Sequence, residues 1–196
     1  MSFKIRKAAP SDMPSVLSLI TELAVFEKEP DAVKITVKDL VENGFKEHPS
    51  FNIYLAEMDN TIVGMALFYR RFSTWEGASL HLEDLIVTQQ YRQKGIGKAL
   101  YDKVLNFAIE NDINRVEWVV LDWNTPAVDF YKRRAVKIWL PYVLILTISL
   151  GFAYGMNLFN DRLPGYAAGV FLYQMFDEKY IICISHTYIN LLKSFE

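Results

Sequence analysis

The stretch Leu82-Glu83-Asp84-Leu85-Ile86-Val87-Thr88-Gln89-Gln90-Tyr91-Arg92-Gln93-Lys94-Gly95-Ile96-Gly97-Lys98 decides how this chain is read. It opens as the end of a strand covering 79–87 and continues through a polar loop, 88–94. An amphipathic helix follows over 97–111, with Leu100, Val104, Phe107 and Ala108 on one face. Gly95 and Gly97 allow the backbone to curl until several N–H groups converge, and the helix start adds its positive dipole end. Two readings of such a loop stand side by side, a cradle for a pyrophosphate and an ordinary tight turn. It is neither a Walker loop, which needs Gly-Lys-Ser/Thr, nor a G-x-G-x-x-G dinucleotide fingerprint.

Working outward, 52–58 and 61–71 read as strands joined by Asp59-Asn60, a hairpin turn. Residues 3–7 alternate as a short strand. Ser11 or Asp12 caps a helix that carries Met13, Val16, Leu17, Ile20, Leu23 and Ala24 at helical spacing. Thr36 and Asp39 open a second helix as a capping box, with Gly44 expected at its C′ stop. Beyond the quoted stretch, 116–121 reads as a strand. A last helix over 125–134 is expected to start with Thr125 as N-cap and Pro126 at its first position. The order β-α-α-β-β-β-α-β-α specifies an α/β fold, a mixed sheet flanked by helices.

The chain has 196 residues, with 21 Lys+Arg against 23 Asp+Glu and a formal charge of −2. It is long enough for a packed core without disulfide or metal staples. The charge balance lacks the basic footprint of a nucleic-acid binder. Cys183 is the lone cysteine, which excludes a disulfide framework and suits a reducing compartment. His48, His81 and His186 fit no metal-ligand spacing, so no metal is expected. The first residues lack the apolar core of a secretory signal, and the expected location is cytoplasmic.

Composition changes near Arg134. Residues 1–134 hold 36 of the 44 charged residues, whereas 135–196 hold 8. The boundary divides a soluble domain, 1–134, from an atypical apolar tail, 135–196. Residues 138–160 carry no formal charge and are long enough to cross a bilayer, with Lys132, Arg133, Arg134 and Lys137 just before them. Pro141, Gly151 and Gly155 interrupt that stretch, and 170–176 with 180–185 pattern as a hairpin. Three readings of the tail follow: an out-of-frame or foreign sequence, a membrane anchor that leaves the domain cytoplasmic, or a substitute closing hairpin.

The Arg-x-x-Gly-x-Gly pattern after the strand ending Leu82 to Val87 resembles the acetyl-CoA loop of the GNAT acetyltransferases. Asp122-Trp123-Asn124 and Ala127-Val128-Asp129-Phe130-Tyr131-Lys132-Arg133-Arg134 tighten the likeness. With Glu22-Leu23-Ala24, Phe26-Glu27, Asn43-Gly44-Phe45 and His48-Pro49, it is similar to the diamine/polyamine branch of spermidine/spermine and thialysine acetyltransferases. Ser73-Thr74-Trp75-Glu76-Gly77 leans toward the thialysine type. Phe26 and Ser73 depart from the spermidine enzyme's pattern, which has a tyrosine and an aspartate there. The likeness covers 3–134. After Arg134 it stops, because the family would continue with a glycine and two closing strands and this chain has Ala135 and the tail.

The resemblance implies direct transfer of acetyl from acetyl-CoA to a small primary amine, and a homodimer; the alternative is a domain of this fold that holds acetyl-CoA without turnover, or one tethered to a membrane. An alkyl ammonium of ordinary pKa leaves only about one molecule in 2,500 as neutral nucleophile at pH 7. Glu83, next to Asp84, is the expected base, and Tyr131 the expected acid for the departing thiolate. A backbone N–H of the segment Leu85, Ile86 and Val87 would face the oxyanion. Arg92, Gln93, Lys94, Gly95, Ile96, Gly97 and Lys98 would hold the pyrophosphate. Asn124 is either a polar contact to the cofactor or a turn residue. Phe26, Glu27, Glu29, Asp31, Trp75, Glu83 and Asp84 fall in segments that, by the resemblance, line the family's amine groove. Charge runs such as 27–31 equally form plain solvated faces.

Overall fold

The computed structural model describes residues 2–75, 77–113 and 115–134. The tail readings at 138–160, 170–176 and 180–185 lie outside those residues. The chain divides into two compact units, with the boundary between Glu117 and Trp118.

Along the chain, β1 (Lys4–Lys7), α1 (Met13–Phe26), α2 (Val37–Gly44), β2 (Asn52–Met58), β3 (Thr61–Ser73), β4 (Gly77–Val87), α3 (Ile96–Glu110) and β5 (Arg115–Trp118) follow in that order. The sheet runs β1-β2-β3-β4-β5. The first three pairings are antiparallel. β5 reaches its place beside β4 through the α3 crossover, the kind of connection that parallel neighbours require, and the sheet is mixed.

Local chemistry explains most boundaries. Asp59 and Asn60 take φ of 49° and 61°, the paired left-handed conformation of a two-residue hairpin turn that short polar side chains tolerate. Thr36 accepts from the Asp39 N–H at 3.3 Å, and the Asp39 carboxylate accepts from the Thr36 N–H at 2.8 Å, closing the capping box. Gly44 differs from expectation. It is the last residue of α2 rather than a C′ stop, and a Cβ there would meet the Phe51 ring at 2.8 Å, so close packing accounts for the glycine. α1 starts at Met13 behind a short 3-10 turn, Pro10–Asp12. The Asp12 carboxylate takes the Ala9 N–H at 2.7 Å and pairs with Arg6 at 2.6 Å, which holds its carboxyl below the usual range.

Alternation along the strands gives the sheet two packed faces. Ile53, Leu55, Met65, Leu67 and Ile86 meet Met13, Val16 and Leu19 of α1 and Leu40 of α2. From the other face Phe68 lies edge-on to Phe107 of α3 at 5.0 Å and stacks on Tyr54 at 5.6 Å. α3 buries Ile96, Leu100, Tyr101, Val104, Leu105 and Ala108. Strand β5 ends at Trp118, three residues before the expected end.

In the second unit a helix covers 125–134. Its cap is Asn124 rather than Thr125, because the Asn124 Oδ1 accepts the Ala127 N–H at 3.3 Å.

Candidate active site

β4 is not a regular strand. Leu67 of β3 pairs with Asp84 and Phe68 with Leu82, which leaves Glu83 as the extra residue of a β-bulge. A regular strand would send Glu83 and Asp84 to opposite faces. The bulge breaks that alternation between two fixed anchors and re-aims Glu83.

Glu83 is exposed, and its Oε2 accepts from the Tyr69 hydroxyl at 3.0 Å and lies 3.4 Å from His81 Nε2. Asp84 is half-buried. Burial, then the charge of Glu83, then that of Glu27 push its carboxyl up to about 6. Glu27, just after α1, is itself raised by burial. Three carboxylates from two elements thus form a local negative field, a place where a cation lowers the free energy of the ionised forms.

The loop between β4 and α3 stands in unusual backbone geometry. Gln93 has φ of 62° and Gly95, the N-cap of α3, has φ of 81°. No side chain caps the helix at that position, so the first-turn N–H groups point outward as donors. Arg92 fastens the loop to the strand it leaves: its Nε donates to the Val87 carbonyl at 2.9 Å, and its guanidinium lies 5.2 Å from the Phe26 ring centre. Lys94 lies 5.0 Å from the Tyr91 ring centre, and Lys98 pairs with Asp102 one turn on. Thr88 donates to Glu22 of α1 at 2.8 Å, a second tie across the mouth of the loop.

In the second unit Tyr131 is 7% exposed, stacked on Trp118 at 4.5 Å and edge-on to Phe130 at 5.1 Å. Burial pushes its phenol well above the ordinary value, with Arg134 opposing, so the hydroxyl is protonated at neutral pH.

The structure therefore brings Glu27, Glu83 and Asp84 into one field, and Phe26 and Arg92 into one contact. Trp75 stands at the tip of the β3–β4 hairpin, 95% exposed. Sequence reading missed Tyr69, His81, Arg71 and Glu117, which join Glu83 in a polar network. One signal was available: Glu117 is a lone carboxylate within an apolar strand, and it is buried.

The Acetyltransferase (GNAT) family model matches residues 15–135. Over 139 residues the chain is 39% identical to a thialysine N-epsilon-acetyltransferase of Sus scrofa, covering 67% of this chain and 82% of that protein. Over the same length it is 35% identical to the spermidine/spermine N(1)-acetyltransferase-like protein 1 of Homo sapiens, covering 67% of this chain and 20% of that protein. A crystal structure of an aminoglycoside acetyltransferase from an uncultured soil metagenomic sample superposes with a TM-score of 0.58 at 23% identity. It covers 67% of this chain and 86% of its own, a likeness of fold alone.

Proposed function

The chain belongs to the Acetyltransferase (GNAT) family, and from that premise we propose that it moves acetyl from acetyl-CoA to a primary amine of a small diamine, polyamine or thialysine-like substrate. The observation that carries the amine reading is the carboxylate field of Glu27, Glu83 and Asp84, with Asp84 pushed up to about 6. A cationic substrate relieves the mutual repulsion that raises Asp84, so binding energy is available to a cation and withheld from an anion.

The loop fits acetyl-CoA. Gly95 starts α3 in a left-handed conformation without a side-chain cap, and such a helix start binds phosphate oxygens through backbone N–H groups. Gly95, Ile96, Gly97 and Lys98 are the proposed pyrophosphate cradle, with Gln93 and Lys94 beside it. Acetyl-CoA supplies an activated acetyl group with a thiolate as leaving group.

This chain's residues do the rest. Asp84 and Glu27 hold the ammonium, and Glu83 takes its proton, directly or through a water. A backbone N–H from Leu85, Ile86 or Val87 donates to the charge that develops on the carbonyl oxygen. Tyr131, protonated at neutral pH, gives its proton to the thiolate. Asn124 contributes its amide nitrogen to the cofactor while its oxygen caps the helix. Phe26 and Trp75 complete the amine groove, and the protein acts in the cytoplasm as a homodimer.

A panel of diamines, polyamines, thialysine and lysine, assayed by acetyl-CoA-dependent thiol release with the purified full chain, tests this reading. Turnover of at least one diamine, polyamine or thialysine is expected. Thiol release no faster than without amine across the whole panel would overturn it.

A further inference from the structure

Behind Glu83 lies a chain of polar contacts that crosses three strands. His81 of β4 sits between two carboxylates, with Nε2 3.4 Å from Glu83 Oε2 and Nδ1 3.7 Å from Glu117 Oε1. Arg71, reaching from β3, pairs with Glu117 and places Nη1 3.3 Å from His81 Nδ1. Arg115 of β5 donates to the second Glu117 oxygen at 2.7 Å. The His81 and Tyr69 rings lie 5.3 Å apart, and the Tyr69 hydroxyl donates to the same Glu83 oxygen that His81 faces.

The tautomer follows from the chemistry of the partners. A guanidinium has only donors, so Nδ1, 3.3 Å from Arg71 Nη1, is assigned as the acceptor and the ring proton is placed on Nε2. Nε2 is the nitrogen that faces Glu83, 3.4 Å from its Oε2. Glu117 in turn is held by two arginines, which fixes Arg71 where it faces the ring. Only 12% of the His81 side chain is exposed, so the ring is confined by packing rather than by solvent.

We propose that His81 is a positioning residue for Glu83: its Nε2–H, together with the Tyr69 hydroxyl, fixes one carboxylate oxygen of Glu83, and Arg71 with Glu117 fixes the imidazole in the tautomer that does so. The other Glu83 oxygen is thereby left to the amine. The inference rests on Glu83 as the base of the proposed reaction. Its physical content is separable, because two donors on one carboxylate favour the ionised form whether or not an amine is present.

The test is the titration of Glu83 followed by the carboxyl 13C resonance, assigned by its loss in Glu83→Gln, in the full chain and in three variants. His81→Leu removes the donor. His81→Asn keeps an amide near the Nδ1 position, facing Arg71. His81→Gln restores a donor near the Nε2 position. The groups facing position 81 are Tyr69 and Arg71 of β3, Glu83 of β4 and Glu117 of β5, and all are retained. The Glu83 midpoint is expected to move up by about one pH unit in Leu and Asn and to return toward the parent value in Gln. If Leu fails to fold, the contrast between Asn and Gln carries the same information. An unchanged midpoint in Asn, or equal midpoints in Asn and Gln, overturns the proposal.

Activity separates this inference from the reading beneath it. The acid limb of kcat/KM should move with the carboxyl midpoint. A midpoint that moves while the acid limb stays fixed overturns Glu83 as base and leaves the positioning intact.

Discussion

Asp84→Asn removes the charge at the most perturbed carboxylate of the cluster. In the folded chain Asp84 is raised from 3.8 to about 6, first by burial, then by Glu83 and Glu27. A raised carboxyl pKa means that the folded state binds the proton more tightly than the unfolded one. Stability from this group is therefore whole below pH 3.8 and is lost as pH rises through about 6. At about 1.4 kcal/mol for each pH unit, ionised Asp84 costs the fold about 3 kcal/mol above pH 7. The asparagine variant does not ionise and lacks that slope. Urea unfolding of the full chain and of Asp84→Asn, from pH 4 to pH 8, reads the difference. The variant should gain about 3 kcal/mol on the parent across that range, or on the order of 6–12 °C in midpoint temperature. Glu83→Gln should recover only part of the effect, since burial is the largest cause. Stability differences that stay constant with pH would refute the buried, like-charged environment from which the amine reading starts.

Three further outcomes are expected. Gly44→Ala drives a methyl to 2.8 Å from the Phe51 ring and should cost about 1–3 kcal/mol in denaturant unfolding, largely recovered by adding Phe51→Leu. Gly97→Val, at the second position of α3, should weaken acetyl-CoA binding by about tenfold, or about 1.4 kcal/mol, and unchanged calorimetric affinity in a folded variant contradicts the cradle. Tyr131→Phe preserves the stack on Trp118 and should lower kcat by about a hundredfold at every pH. Glu83→Gln should instead recover as pH rises, because higher pH supplies neutral amine. Coincident pH profiles of the two variants would remove both assigned roles.

The sequence by itself determined the elements that depend on near neighbours. Asp59-Asn60 required a left-handed hairpin turn, Thr36 with Asp39 closed a capping box, and the glycines after Val87 marked a turn into α3. Each rests on interactions within four residues, where spacing along the chain equals spacing in space. Only the tertiary structure decided how the strands register. The bulge at Glu83 exists because Leu67 pairs with Asp84 and Phe68 with Leu82, a fit of two packed strands that no local pattern encodes. That shift lets Tyr69, fourteen positions away, reach Glu83. Arg71 meets Glu117 across forty-six positions, which is why the network behind Glu83 could not be assembled from the sequence, where only the lone carboxylate of Glu117 hinted at it. Gly44 shows the same division: its type signalled a helix end, but the neighbouring Phe51 ring supplied the reason. The carboxylates of the site were legible as residues, whereas Asp84's raised pKa was not, because desolvation is set by everything that packs around a group and not by its neighbours in the chain.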